Sequence, residues 1–311
     1  MEYAIPAMEH QPPRVTRDRL GDADGAILRS VNRFQYVTAA QLGRLLYPNA
    51  HDDNRYMQRR LRRLADEGYL LRLRELPQPR VGSAPHVFTL ADRGRKHLET
   101  QGVALASPYF RPGEEREKAQ DNPFMEHTLA AVDVLIAADV LARDHPDVSI
   151  PRLFTERQLK RRAVHVQPAG YPDAPRTAVI PDAWFEVLVL DESVCVALEL
   201  DRGTEQQKYW RRKISALTAW AIGSYRSDMQ AQNLTVATVV PHTSRRKQLA
   251  AWTAQELARI GYRELCDVFL FTEVSPVEAP VATFFFSEVW FPAGSATPVA
   301  LLDLPEEGQV S

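Results

Sequence analysis

The segment Thr177 to Asp201, "TAVIPDAWFEVLVLDESVCVALELD", constrains the chain more than any other. It reads as two strand-forming apolar runs that turn at "LDES" and carry three carboxylates, Asp182, Glu199 and Asp201, at their ends. An unpaired ionised carboxylate in a low-dielectric core costs several kcal/mol. These acids must therefore be met by hydrogen bonds, by a basic partner or by a metal ion. Glu199 and Asp201 stand two apart and point to the same side of their strand, with the Leu200 carbonyl between them. If the strands are antiparallel neighbours, Asp182 and Glu199 share one end of the hairpin.

With 311 residues, 45% hydrophobic and 25% charged, the chain is long enough for two ordinary globular domains. No apolar run is long enough to span a membrane, and "MEYAIPAMEHQPPR" has acids where a signal peptide has a basic region, so a cytoplasmic protein with no membrane partner is expected. Cys195 and Cys266 sit in apolar runs and are expected to pack in the core. The net charge of −2 hides an asymmetry: residues 1–111 hold 18 Lys+Arg against 12 Asp+Glu, residues 112–311 hold 20 against 28. A basic module is joined to an acidic one, a separation that suits a nucleic-acid-binding head on a body that neutralises its own acids or holds cations.

In the basic module, Ile27, Leu28, Val31 and Phe34 recur at helical spacing, and Thr38 is the expected N-cap of a short second helix. The third helix, in "RYMQRRLRRLADEGYLLRLR", has an apolar stripe of Tyr56, Met57, Leu61 and Leu64 and closes at Gly68. Arg55, Arg59, Arg60, Arg62 and Arg63 fill much of its remaining surface, five arginines within nine positions. They repel one another unless something anionic meets them. A strand, a Pro/Gly-rich tip "PQPRVGS" with Arg80, a second strand "HVFTL" and a further helix complete the order of a winged helix-turn-helix over residues 17–105. Its third helix is shaped for the major groove and its wing for phosphates. The alternative is a winged helix used for protein contacts, with its arginines merely solvated.

Residues 106–123, rich in Pro, Gly and charge, read as a linker, and residues 124–292 as a second module. That module opens with an apolar helix, "FMEHTLAAVDVLIAADVLARD", on which His127 is expected to be a hydrogen-bonded structural histidine and Glu126 solvated or capping. Strands, a helix "GTEQQKYWRRKISALTAWAIG", another strand, a helix beginning "SRRKQ" and the strand "LCDVFLFTEV" follow. The basic "SRRKQ" start either touches DNA backbone or is simply exposed. Residues 293–311 are expected to be a flexible tail with one short apolar anchor. The chain is thus expected to be α+β, a mixed α/β fold in two parts.

The order of the second module resembles the PD-(D/E)XK nuclease core, a restriction-endonuclease-like mixed sheet flanked by helices. The residues "PDAWFEV" and "ALELDRGTE", the Lys/Tyr/Trp-bearing helix, the "EHTLAAVDV" helix and the arginine-rich head together resemble the replication-relaxation family of plasmid and mobile-element proteins, over about residues 20–275. That resemblance implies double-stranded DNA as partner, with other replication, mobilisation or transposition proteins. By position, Asp182 matches the PD acid and Glu199 the first acid of the second motif. Glu156 stands where an additional acid occurs. The implied cofactor is Mg²⁺ or Mn²⁺, held by Asp182, Glu199 and the Leu200 carbonyl, since such an ion takes a few carboxylates and completes its shell with water and phosphate.

Asp201 departs from the pattern, because it stands where the consensus has lysine and cannot supply positive charge. Lys208 and Lys213 of the following helix are the substitutes. Lys208 lies nearer the strand end, and Lys213 is placed about three turns down a helix expected to start near Gly203. In a purely structural alternative, Asp201 caps that helix and Arg202 pairs with Asp182 or Glu199. Three functions stay open at this level: a DNA-binding replication or mobilisation factor with a degenerate nuclease-like module, an active metal-dependent endonuclease, and a winged-helix regulator binding a palindrome as a homodimer.

Overall fold

The computed structural model describes residues 20–47, 53–74, 85–107 and 125–303. Arg80 and the wing tip around it, most of the proposed linker and the last eight residues lie outside the described residues.

The first module runs α1 (Asp22–Phe34), β1 (Val37–Thr38), α2 (Ala39–Leu46), α3 (Asp53–Asp66), β2 (Leu70–Arg74), β3 (His86–Leu90) and α4 (Asp92–Thr100). Apart from the two-residue β1, this is the element order read from the sequence. The strands form an antiparallel sheet in the order β1-β3-β2. Thr38 caps α2 reciprocally: the Gln41 amide donates to Thr38 Oγ1 (3.3 Å) and the Thr38 amide to Gln41 Oε1 (2.9 Å). Gly68 takes the left-handed φ of 79° beyond α3. Met57, Leu61 and Leu64 are fully buried with Ile27, Leu28 and Val31. Tyr56 is not part of that stripe: it is exposed, packs edge-on against Tyr47 and accepts a hydrogen bond from Arg60 Nε at 2.6 Å. Its hydroxyl explains the difference, since a Tyr keeps its polar end wet.

The second module opens with α5 (Met125–Asp144), followed by β4 (Val148–Thr155), α6 (Glu156–Lys160), the small pair β5 (Val164–Val166) and β6 (Thr177–Val179), then β7 (Ala183–Val189) and β8 (Glu192–Leu200). After these come α7 (Gln207–Ile222), α8 (Tyr225–Met229), β9 (Thr235–Val239), α9 (Thr243–Ile260), a 3₁₀ turn (Arg263–Val268), β10 (Phe269–Thr272), α10 (Val281–Phe286) and β11 (Phe291–Pro292). Six strands make one mixed sheet, β11-β10-β9-β8-β7-β4, with β8, β9 and β10 parallel and the other pairings antiparallel. Phe185, Val196 and Leu198 face α5; Trp184, Cys195 and Ala197 pack with α7 and α9 on the other face. The chain is therefore an α+β fold with helices on both sides of a mixed sheet.

Helix α5 is apolar almost all round, as a helix buried on every side must be. It packs on the sheet and on the first module at once, so one apolar cluster runs from α1 to β8. Polar contacts seal the junction. Arg33 donates twice to Asp139 (2.8 Å each), Gln41 Nε2 donates to the Leu129 carbonyl (2.9 Å) and to Asp133 (3.0 Å), and Arg44 pairs with Asp133.

The short apolar anchor expected in residues 293–311 is present: Val299 pairs with Trp290, and Leu301 and Leu302 are buried in the main cluster. Cys266 lies on the 3₁₀ turn, half-buried, rather than in a strand, while Cys195 is buried as expected. Among the described residues no helix is long and apolar enough to cross a membrane.

Candidate functional site

The β7–β8 hairpin brings Asp182 and Glu199 to the same end of the sheet. Ala183 is in register with Leu198, and one step beyond it the Asp182 amide donates to the Leu198 carbonyl at 2.9 Å. The Leu200 amide donates back to Asp182 Oδ2 at 2.7 Å. Each acid is met by a nitrogen from a different helix. Asp182 Oδ1 lies 2.8 Å from His127 Nε2 on α5, and Glu199 Oε2 accepts from Lys213 Nζ at 2.9 Å on α7. His127, expected to be a structural histidine, is thus hydrogen-bonded to one of the candidate acids.

Because α7 starts at Gln207 and not near Gly203, Lys213 stands less than two turns into the helix and reaches Glu199. Lys208 lies on the first turn, exposed to solvent. The two lysines therefore exchange the places expected of them: the helix begins later than "GTE" suggests.

Asp201 does not join the cluster. Its carboxylate accepts from Arg245 Nε (2.6 Å) and Nη2 (2.9 Å), and from the Gly203 amide (2.9 Å) in the loop before α7. Asp201 does not cap α7, the role the structural alternative gave it: it holds the Gly203 amide of the preceding loop, and the helix starts only after Gln206, which makes no side-chain capping bond. Arg202 pairs with Glu126, not with Asp182 or Glu199. Arg245 and Arg246 of "SRRKQ" are both buried, and Arg246 pairs with Glu273 at 2.5 Å, so these two arginines are structural and not a basic surface. Glu156 opens α6, pairs with Lys160 at 2.6 Å and borders the same cavity as Asp182 and His127.

The electrostatics follow from burial. Desolvation pushes the Glu199 carboxyl up to about 7, with Asp182 adding to the rise and Lys213 opposing it. Lys213 is raised although burial works against its charge, because Glu199 and Asp182 hold the proton. His127 is raised by its bond to Asp182, against burial. Burial works to raise Asp201, but Arg245 and the Gly203 amide hold it below its ordinary value.

Two carboxylates beside a backbone carbonyl are donors of the kind Mg²⁺ accepts. Here, however, both carboxylates already hold nitrogen partners, the His127 imidazole and the Lys213 ammonium, and among the described residues no group of three or more His, Cys, Asp or Glu side chains converges to hold a metal. The donor chemistry suits a hard cation. Both carboxylates are already engaged by the protein's own side chains.

On α3 the five arginines divide. Arg60 Nη1 and Arg63 Nη2 each lie 2.6 Å from a carboxylate oxygen of Asp24, a buried acid on α1. Burial would raise Asp24, yet the two arginines hold its carboxyl below the ordinary range. Arg55, Arg59 and Arg62 are exposed. The mutual repulsion of the row is thus relieved partly from within, by a residue 36 positions from Arg60 that no local pattern singles out.

An arginine-bearing helical head fused through a shared helix to a mixed sheet with an acid–lysine cluster at one end defines a two-part α+β protein. The chain belongs to the replication-relaxation family, whose model matches residues 28–235. That membership suggests a role in the replication or relaxation of mobile elements. No curated protein and no solved structure matches the chain.

Proposed function

We propose that the chain is a DNA-binding protein of plasmid or mobile-element replication, relaxation or mobilisation. The first module acts as a winged helix-turn-helix that lays α3 on duplex DNA, and the second is a nuclease-like core whose acids are held by the protein's own His127 and Lys213. The observation that carries this reading is α3 itself. Its apolar side is wholly buried, Arg60 and Arg63 fix its pose through Asp24, and Arg59 and Arg62 stand on the solvent side where phosphates would lie.

Arg59→Ala and Arg62→Ala are each expected to weaken binding to all duplex sequences alike and to lower the slope of log K against log salt by about 0.9. Fluorescence anisotropy of a labelled duplex between 50 and 200 mM salt, on the order of the range where such slopes are read, measures this. An unchanged slope in the double variant would remove α3 from the interface.

A second reading, metal-dependent DNA cleavage, is favoured by the convergence of Asp182, Glu199 and Lys213 at one strand end. A divalent ion bound by Asp182 and Glu199 would supply Lewis-acid stabilisation of a phosphate. His127 and Lys213 would first have to yield their bonds to those carboxylates. Supercoiled plasmid with Mn²⁺ separates the readings. The proposal expects equal gel shifts and no nicking from the wild type and Asp182→Ala, whereas nicking by the wild type alone would establish the second reading.

A further inference from the structure

Between the two modules lies a cavity of about 230 Å³, bordered by Gln35 and Tyr36 at the end of α1, His127 and Val132 of α5, Glu156 of α6, and Asp182. Gln35 is its unusual wall. Gln35 has φ 69° and ψ −44°, and the Tyr36 amide donates to the Phe34 carbonyl at 2.9 Å across it. This is a γ-turn of positive φ, a rare and strained conformation for a residue with a side chain. The Gln35 residue is only 5% exposed, yet among the described residues neither Nε2 nor Oε1 has a hydrogen-bond partner. Leaving a buried donor and a buried acceptor unmet is costly, and a leucine would fill the same volume without that cost. Strained backbone and unmet polar atoms in one cavity wall are the marks of a site shaped for a ligand.

The ligand must offer an acceptor beside a donor, match an apolar wall and be small. An amide presents one donor and one acceptor side by side, the complement of the N6 amino group and N7 of adenine. Val132 supplies apolar surface, and Tyr36 and His127 border the cavity, the Tyr36 ring lying 5.8 Å from the Arg157 guanidinium. The volume falls below the roughly 300–1,000 Å³ typical of sites for drug-sized molecules, which suits one base and nothing larger. Arg157 and Lys160 border the same cavity, Arg157 donating to the Tyr36 hydroxyl at 2.9 Å and Lys160 pairing with Glu156. The terminal torsion of a glutamine is soft, so the amide can turn its two atoms toward an arriving base.

We propose that this cavity receives one unpaired adenine from a DNA strand bound across the two modules, a proposal that rests on the DNA-binding reading. An unpaired base is the least costly to draw out of a stack.

Anisotropy titrations test this with four probes: a duplex with a single bulged adenine, the same duplex with an abasic residue in the bulge, a fully paired duplex, and adenosine monophosphate. The wild type is expected to bind the bulged adenine about tenfold tighter than the abasic bulge. Gln35→Leu should bring that ratio to about one while paired-duplex affinity stays unchanged. Thr128→Trp, which narrows the cavity from a half-buried position on its border, should do the same without touching Gln35. Equal binding of both bulges by the wild type, with the paired duplex still bound, overturns the pocket and leaves the DNA reading intact. A ratio that survives both substitutions also overturns the pocket. Absence of binding to any duplex overturns both readings, and tight binding of adenosine monophosphate without a bulge preference overturns the strand as the source of the base.

Discussion

Replacing Asp201 by alanine is expected to lower stability by about 3–5 kcal/mol, the cost of stranding a buried charge. Thermal unfolding should show this as a fall in midpoint of about 10 °C. The Arg245 side chain is 7% exposed and takes both Asp201 oxygens; without them it keeps, among the described residues, hydrogen bonds to the Glu205 carbonyl (2.6 Å) and Gln248 Oε1 (2.7 Å) and the face of Trp252. The Gly203 amide loses its acceptor as well, so the loop into α7 loosens. Folding lowers the Asp201 pKa, so its contribution is complete above the unfolded value of about 3.9 and fades as pH falls through the folded one. An Asp201→Ala chain as stable as the wild type would show that the Arg245 pair does not hold this corner.

Lys213→Met is expected to cost about 2–3 kcal/mol at pH 8, below the range for a wholly buried pair because the Lys213 side chain is 35% exposed. The cost falls on Glu199, which is left buried without its cation. Folding raises the Glu199 pKa from 4.5 to about 7, so the folded chain binds the extra proton across that window. The Glu199 contribution therefore favours the fold at the acid end and is lost as pH rises through 7. The variant should accordingly recover much of its stability at about pH 5, where a neutral Glu199 needs no cation. Adding Glu199→Gln should remove this pH dependence at both ends. A Lys213→Met chain equally destabilised at the two pH values would show that packing of the lysine stem, and not its charge, is what matters.

The hairpin was legible because its evidence is local. Apolar alternation, a short turn and Pro181 fixed the strands, and antiparallel pairing then put Asp182 beside Glu199. Thr38 and Gly68 were legible for the same reason, since capping depends on residues within a turn. What could not be read was which cation meets which acid. Lys213 was misplaced because "GTEQ" looked helical, whereas Asp201 holds that stretch as a loop until Gln207. Arg245 and Arg246 looked like a basic surface because a run of charge carries no mark of burial. Only their pairing with Asp201 and Glu273, on distant segments, takes them inside. Asp24 left no signal at all, and His127 differed from any other helical histidine only once α5 had docked beside β7.

Helix α5 also bears on how such a chain can change over evolution. A small helical head is commonly pictured as a cartridge, exchanged between bodies by recombination at the linker. Here the head has no closed underside: its apolar residues end on α5, and its Arg33, Gln41 and Arg44 find their partners at Asp139 and Asp133. A new head brought in at the linker would have to match that helix residue for residue. Inheritance should therefore keep the head and α5 together, with any viable crossover falling beyond Asp144.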